Sequence, residues 1–425
     1  MLLLILIYFF ICIFLIYKRN NFYQNDEKLK NEINFTYINN SKINNDSYIN
    51  NINNITIIKN NTSRDYKTNK GKMDFFNEGK LFFESCFKGE LIKNEKFSKS
   101  ENPFISVVIP VYNQNKKINA VIRSIQNQNI TNLEIILVND YSKNNTLEII
   151  QQMKNEDPRI ILINNKKNMG TLYSRSIGTL LSNGKYIFAL DHDDLFFDEG
   201  VLDLISQEAE KGKFDIVEFI AAEYNRNGFA PTYIKDSEYS DHMDNLTLFQ
   251  PELGQFPRNK NQKYGIYDVF LWGKCIKSEI YKKTINLLGK EIYSQFIIWG
   301  EDLITSFVLF RTAKSFKFIR KYGIFRYKNR ETASFHTPSS AFCLSHIIYL
   351  LIILRFTDNS FSDKQYVVFQ SLNFLSYNLR YRPLNNITDS YLKKFLQEMN
   401  NCNYIHINDK NRINLKSKKW LKKNI

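Results

Sequence analysis

Cysteine is scarce: Cys12, Cys86, Cys275, Cys343 and Cys402 are the only five in 425 residues, and no two are clustered. That usage excludes a metal knuckle and a dense disulfide framework and leaves a single bridge open. The chain also lacks zinc-ligand spacing, an RNP-like run and a continuous basic helix. The net charge of +15 therefore reads as lysine scattered among asparagine, and a nucleic-acid partner is not expected. The N-terminus lacks a basic n-region and a small-residue cleavage site, which argues against a cleaved signal peptide. It has instead an almost purely apolar run, Leu2 to Tyr17, with Lys18-Arg19-Asn20 behind it. That length is near the lower limit for a spanning helix, so residues 1–18 are expected to form an uncleaved, single-pass membrane anchor.

Two signals for orientation oppose each other. Lys18 and Arg19 after the span favour a cytosolic chain by the positive-inside rule. Asn-x-Ser/Thr acceptors at Asn34, Asn45, Asn54 and Asn61 favour a lumenal stem in the ER or Golgi, although an Asn-rich chain makes such triplets by chance. The lumenal placement is the expectation. Residues 19–100 have little periodicity and read as a mostly disordered stem. Within them, Met73 to Gly89 has the composition of a short helix that packs on the folded part.

With 43% hydrophobic and 15% aromatic residues, the rest of the chain can bury a large core. Ile105-Ser106-Val107-Val108-Ile109-Pro110 reads as a buried strand stopped by proline. Ile118 to Gln128 has helical spacing. Leu133 to Val138 is a second strand, Thr146 to Met153 a helix, Ile160 to Ile163 a third strand, and Thr171 to Leu181 a helix opened by Asn168-Met169-Gly170. Gly184 to Leu190 is a fourth apolar run. The alternation predicts an α/β fold: a mostly parallel, Rossmann-like sheet with helices on both faces.

The fourth run ends in Asp191-His192-Asp193-Asp194. Folding alone does not ask for three carboxylates there, because like charges repel and a buried carboxylate needs a partner. A hard divalent cation, Mg²⁺ or Mn²⁺, with water and phosphate as further ligands would relieve that cost. The bland alternative is a solvated acidic turn. Ligands of such sheets bind outside the carboxyl ends of the strands. Tyr112-Asn113, Asn139-Asp140 and the acidic cluster all lie at those ends, so they are expected to converge on one crevice.

Taken together, these pieces resemble the family 2 glycosyltransferases, which have the GT-A fold. The match runs through Ser106 to Asn113, Val138-Asn139-Asp140-Tyr141-Ser142, Asn168-x-Gly170 with Arg175 and Gly178, and Gly184 to Asp194. It continues in Leu271-Trp272-Gly273-Lys274-Cys275-Ile276, Trp299-Gly300-Glu301-Asp302-Leu303 and Tyr327 to Ser334. The resemblance covers about residues 103 to 336. It implies a nucleotide-sugar donor, a UDP-sugar above all, with Mn²⁺ or Mg²⁺. The backbone of Pro110, Val111, Tyr112 and Asn113 would line the nucleoside, with Asn139 beside Asp140 and Asp140 reading the uracil ring. Gly170 opens the helix that carries Arg175, which the family would place near the uridine or phosphates; the alternative is a structural ion pair. Asp191 would face the ribose or metal and Asp193 would bind the metal. Asp194 would orient a metal-bound water or cap the next helix. Strand alternation turns His192 to the other side, as packing rather than as a ligand. His336 is a further metal candidate.

Asp302, with Glu301 beside it, would be the base that takes the acceptor's proton, unless the two are simple dipole partners at a helix start. One base with in-line attack implies inversion. Trp272 and Trp299 are candidates to stack on acceptor sugars, and Lys274 and Arg330 to contact the diphosphate; core packing and solvated surface are their alternatives. Implied partners are the donor and a glycan, glycolipid or glycoprotein acceptor, whose specificity would lie in stretches such as 225–263. The resulting division is residues 1–18 anchor, 19–100 stem, 101–336 GT-A domain and 337–425 a small helical C-terminal unit. Two rivals stay open: an inactive relative that only binds, which has no need of Asp191, Asp193 and Asp302 together, and a nucleotidyltransferase, which usually carries a Gly-rich loop after the first strand where this chain has none.

Overall fold

A computed structural model describes residues 69–92, 97–225, 228–230, 247–249, 270–297, 300–327, 339–357, 361–375 and 385–421. The expected anchor, the acceptor asparagines of the stem and nearly all of 225–263 lie outside the described residues. Among the described residues no helix is long and apolar enough to cross a membrane.

Helix α1 (Asn69–Phe87) precedes the alternating part. Strand β1 (Ile105–Val111) is followed by α2 (Ile118–Gln126), β2 (Leu133–Asn139), α3 (Thr146–Glu156), β3 (Ile160–Asn164), α4 (Thr171–Leu181) and β4 (Tyr186–Ala189). The periodicities place each of these within a few residues of its observed bounds. Then come β5 (Leu195–Phe196), α5 (Val201–Gly212), β6 (Ile216–Asn225), β7 (Gly228–Ala230), β8 (Thr247–Phe249), β9 (Lys274–Lys277), α6 (Ser278–Leu288), α7 (Lys290–Tyr293), α8 (Glu301–Thr312) and β10 (Ser315–Tyr327).

The strands form one sheet in the order β3-β2-β1-β4-β9-β6-β10-β5, with β7 on β6 and β8 on β10. The β1–β2, β2–β3, β1–β4 and β6–β10 ladders are parallel, and the other five are antiparallel. The α/β expectation therefore holds, with one correction: the sheet is mixed rather than mostly parallel. The cause is β9, which runs antiparallel between β4 and β6. Its strand is only four residues long, too short to show a period in the sequence.

Both faces of the sheet are covered, and the two-residue side-chain period divides the core. Val108, Ile136, Val138 and Ile187 face a cluster that includes Leu172 of α4, Tyr281 and Ile285 of α6, and Phe307 of α8. Val107, Ile109, Ile135 and Leu137 face the other cluster, with Ile122 and Ile125 of α2, Leu202 and Ile205 of α5, and Phe82, Phe83 and Cys86 of α1. The expected helix before the domain thus does pack on it, Phe83 meeting Phe325 edge-on at 4.9 Å. From Ser339 onward the described elements are helices: α9 (Ser339–Phe356), α10 (Phe361–Asn373), α11 (Asn386–Asn401) and α12 (Ile407–Leu421). Helix α9 is apolar on all sides, as a fully enclosed helix must be. Ile347, Ile348, Leu351 and Ile353 are buried in the first cluster beside Leu392 and Phe395 of α11. The four described cysteines are free.

The stretch that leads into the acidic cluster is pinned at its start. Glu134 is buried in β2 and accepts from Ser106 Oγ (2.5 Å) and from the Asn183 amide (2.6 Å). The Gly184 amide in turn donates to Ser106 Oγ at 2.8 Å. A Cβ on Gly184 would lie 2.5 Å from the Ser106 backbone nitrogen, a contact that no side-chain rotation relieves. Gly184→Ala is therefore expected to lower the unfolding free energy by about 1–3 kcal/mol, the usual cost of overpacking, as measured by urea denaturation.

Candidate functional site

The carboxyl ends of β1 and β2 are stitched together by their loops. The Asp140 amide donates to the Val111 carbonyl at 2.8 Å. Asn113 takes φ +52°, donates its amide to Ser142 Oγ (3.0 Å) and accepts from the Lys143 amide (2.7 Å) through Oδ1. This leaves Tyr112 and Tyr141 about 40% exposed at the two strand ends. The His192 imidazole lies with Nδ1 3.0 Å from the Pro110 carbonyl. A carbonyl only accepts, so Nδ1 carries the proton in that contact.

Asp140, expected as a base reader, is nearly enclosed. Its Oδ1 accepts from Asn165 Nδ2 (2.8 Å) and the Met169 amide (2.8 Å), and its Oδ2 accepts from the Gly170 amide (2.8 Å). The carboxylate therefore fastens the turn that opens α4 to the end of β2. Gly170 sits there at φ +88°, where a Cβ would come within 2.9 Å of the Ile297 carbonyl oxygen. Asn139 donates to Asn164 Oδ1 at 2.7 Å, which links β2 to β3.

The acidic cluster forms the turn after β4. Asp194 is 2% exposed and accepts the Tyr327 amide at 3.2 Å through Oδ1, so the turn is tied to the end of β10. Its Oδ2 is buried without a hydrogen-bond partner among the described residues. Burial, reinforced by Asp193 and Asp191, pushes the Asp194 carboxyl well above the usual carboxylate range. Burial also raises Asp193; His192, Lys117 and Arg326 act against that rise and Asp191 adds to it.

Arg175 joins this turn to the Glu301-Asp302 pair. It lies on the inner side of α4, is 2% exposed, and donates from Nη2 to Asp191 Oδ1 at 2.5 Å. From Nη1 it donates to Asp302 Oδ1 at 2.7 Å and Glu301 Oε1 at 3.3 Å. Burial works against the guanidinium charge, but Asp302, Asp191 and Glu301 outweigh it and raise its proton affinity. Burial lifts the Asp302 and Glu301 carboxyls above their ordinary values, with Arg175 opposing. The first turn of α8 and the end of β4 thus meet on one guanidinium. Of the two roles weighed for Arg175, the side chain occupies the ion-pair position.

Several acceptor-side expectations need correction. Lys274 is fully buried, its ammonium 2.5 Å from the Phe270 carbonyl and 3.2 Å from Glu218. It neutralises a core carboxylate and is not presented to a diphosphate. Trp272 is 5% exposed, stacked on Phe270 at 4.7 Å with Arg326 5.2 Å from its ring. It packs the core and offers no open face to a sugar. Trp299, Arg330 and His336 lie outside the described residues. Besides Arg175, two further cations among the described residues act on the acidic turn: Lys117, at the start of α2, and Arg326, near the end of β10, both of which favour ionised Asp193. Neither belongs to a motif, and no sequence signal marks them. Tyr281 of α6 is a further unforeseen neighbour, fully buried beside Arg175 and Asp302.

The donor set suits a hard cation. Asp193 makes no hydrogen bond among the described residues, Asp191 keeps its Oδ2 free of one, and both bring carboxylate oxygen. Among the described residues no three His, Cys, Asp or Glu side chains converge as a metal cage.

Residues 106–284 match the model of the family described as glycosyl transferase family 2. This segment is a family 2 glycosyltransferase domain. It contains the first three strand ends, Arg175 and the acidic turn, while Glu301 and Asp302 lie beyond it. Among curated relatives, an uncharacterized glycosyltransferase, EpsJ, of Bacillus subtilis is 26% identical over 56% of this chain and 64% of its own. An uncharacterized glycosyltransferase of Haemophilus influenzae is 41% identical over 22% of this chain and 29% of its own. A GalNAc(5)-diNAcBac-PP-undecaprenol beta-1,3-glucosyltransferase of Campylobacter jejuni is 32% identical over 26% of this chain and 36% of its own. The chain thus spans less than two thirds of the length of these relatives. Among solved structures, TarS of S. aureus bound to UDP-GlcNAc superposes with TM-score 0.48 and 16% identity, over 69% of this chain and 81% of that one.

The acidic turn of the glycosyltransferase domain carries a pH-dependent stability cost. Asp194 has a folded value above its unfolded value of about 3.9. Its carboxyl therefore favours folding most when protonated, and that advantage is lost as pH rises through the folded value. With chelator present, Asp194→Asn is expected to be more stable than wild type at pH 7. The difference should close as pH falls to about 4, as read from denaturation midpoints across pH.

Proposed function

We propose that this chain is an inverting glycosyltransferase that moves a sugar from a nucleotide-diphosphate donor, a UDP-sugar, to a hydroxyl of a glycan, glycolipid or glycoprotein acceptor. The observation that carries this reading is the meeting of Asp191 with Glu301 and Asp302 on one buried guanidinium at the strand ends of a family 2 domain. The named glycosyltransferase relatives support the same class of reaction.

The residues divide the task as follows. The loops after β1 and β2, with exposed Tyr112 and Tyr141, form the wall for the nucleoside. Asp140 keeps that wall in shape by holding the Met169 and Gly170 amides. Lys117 and Arg326 bring positive charge to the side of the acidic turn, where a diphosphate would need it. Asp193 and Asp191 would hold Mn²⁺ or Mg²⁺, which when bound supplies Lewis-acid neutralisation of charge on the leaving diphosphate. Asp302 keeps Oδ2 free of hydrogen bonds among the described residues while Arg175 holds Oδ1. That oxygen would take the acceptor's proton as the hydroxyl oxygen bonds to the anomeric carbon and the bond from that carbon to the diphosphate oxygen breaks. Attack by one activated oxygen from the face opposite the leaving group inverts the anomeric centre. Burial raises the Asp302 carboxyl, which makes it a stronger proton acceptor than an exposed aspartate.

The test is calorimetric titration with UDP, with and without Mn²⁺, alongside an assay of UDP released from a panel of UDP-sugars. Asp193→Ala is expected to abolish the Mn²⁺-dependent part of UDP binding. Asp302→Asn is expected to leave UDP affinity near wild type and to slow UDP release by about 10²–10⁴-fold, the usual contribution of a positioned base. Product with the donor's anomeric configuration retained would exclude the single-base scheme.

A further inference from the structure

The donor carboxylate and the base come from distant parts of the chain. Asp191 ends β4 and Asp302 opens α8, and no backbone hydrogen bond described here joins the two segments. What they share is the guanidinium of Arg175. Adjacent nitrogens of its planar fork hold one oxygen of each, Nη2 taking Asp191 Oδ1 and Nη1 taking Asp302 Oδ1. A planar, delocalised fork fixes the mutual placement of its partners as a point charge cannot. In each carboxylate the other oxygen makes no hydrogen bond among the described residues and is left for chemistry.

Accessibility follows the same division. The side chain of Arg175 is 3% exposed, against 33% for Asp191 and 18% for Asp302. The guanidinium therefore lies behind the carboxylates, and a ligand entering the crevice meets them first. Three carboxylates hold its terminal nitrogens, while Nε is buried without a hydrogen-bond partner among the described residues, so a phosphate could reach Nη1 or Nη2 only by displacing those anions.

We infer that Arg175 is a positioning residue for transfer, one that sets the base Asp302 against the donor-side Asp191, and is not a ligand of the donor phosphates. The inference rests on the glycosyl-transfer reading above. Arg175→Lys keeps the charge and loses the fork. A misplacement of about 1 Å can cost on the order of a hundredfold in rate, so the loss should appear in turnover.

The full chain with Mn²⁺ tests this by release of UDP from UDP-glucose and UDP-N-acetylglucosamine with water as acceptor, and by titration with UDP and with uridine. Rates are normalised to the UDP-binding stoichiometry, so that a smaller folded fraction does not count as lost catalysis. For Arg175→Lys the expected result is a fall in kcat of about 10–100-fold, with the donor KM within about threefold of wild type. The ratio of UDP to uridine affinity should be unchanged. A tenfold or greater fall in that ratio would make Arg175 a phosphate ligand and overturn the inference while leaving the transferase reading intact. An unchanged kcat would also overturn it. If Arg175→Lys does not fold, the charge-balanced Arg175→Met/Glu301→Gln protein is read by the same criteria, and failure of both to fold assigns Arg175 a structural role instead. A wild-type protein that neither binds UDP nor releases it from either sugar nucleotide defeats the transferase reading itself, and the inference with it.

Discussion

One guanidinium against three carboxylates is the contact on which the site depends. Arg175 is enclosed, so its charge is poorly solvated and must be balanced by neighbours. Asp191, Glu301 and Asp302 supply more negative charge than the balance needs. The excess continues into Asp193 and Asp194, whose carboxyls burial raises. A fold selected for stability alone would not concentrate acid in this way. Such an arrangement gains fuller compensation when positive charge arrives from outside, as a divalent cation would supply it. The electrostatic cost carried without ligand and the affinity for ligand are two aspects of the same charge distribution.

The mixed sheet is what allows that contact to form. The parallel half, β3-β2-β1-β4, brings its carboxyl ends to one edge and with them the loops of Asn113, Asp140 and Asp191. Strand β9 then reverses direction between β4 and β6, and β10 runs parallel to β6 for most of its thirteen residues. The far end of β10 reaches back to the acidic turn, where the Tyr327 amide meets Asp194 and Arg326 approaches Asp193. Helix α8 is packed against α6 and α9 in the first core cluster. Its first turn is therefore held by apolar burial, at about 25 cal/mol per Å² of area removed from water, as well as by the ion pairs.

Much of this was legible in the sequence because it is local. A run such as Ile105 to Pro110, β-branched and ended by proline, has few options other than a buried strand. The apolar spacing of Ile118, Val121, Ile122 and Ile125 fits only one face of a helix, and all four are buried. The order of strand ends then placed Asn113, Asp140 and Asp191 along one edge. Lys274 and Trp272 were not readable in that way. Each sits in a family-like segment, and burial depends on partners far along the chain: Glu218 for the lysine and Arg326 for the tryptophan. Lys117 and Arg326 show the converse, cations outside any motif that the fold carries to the acidic turn.

The sequence by itself determined the elements, the parallel half of the sheet and the residue types available at its edge. Side-chain periodicity and turn chemistry act over a few residues, and a chain cannot avoid expressing them. Only the tertiary structure decided which of those polar residues meet. It assigned Asp140 to the Gly170 turn, Lys274 to a buried pair and Arg175 to the fork between Asp191 and Asp302. The physical reason is that a charge removed from water takes whichever opposite charge the packed elements bring within about 3–4 Å, and its strength there depends on local burial. Sequence distance contains neither quantity.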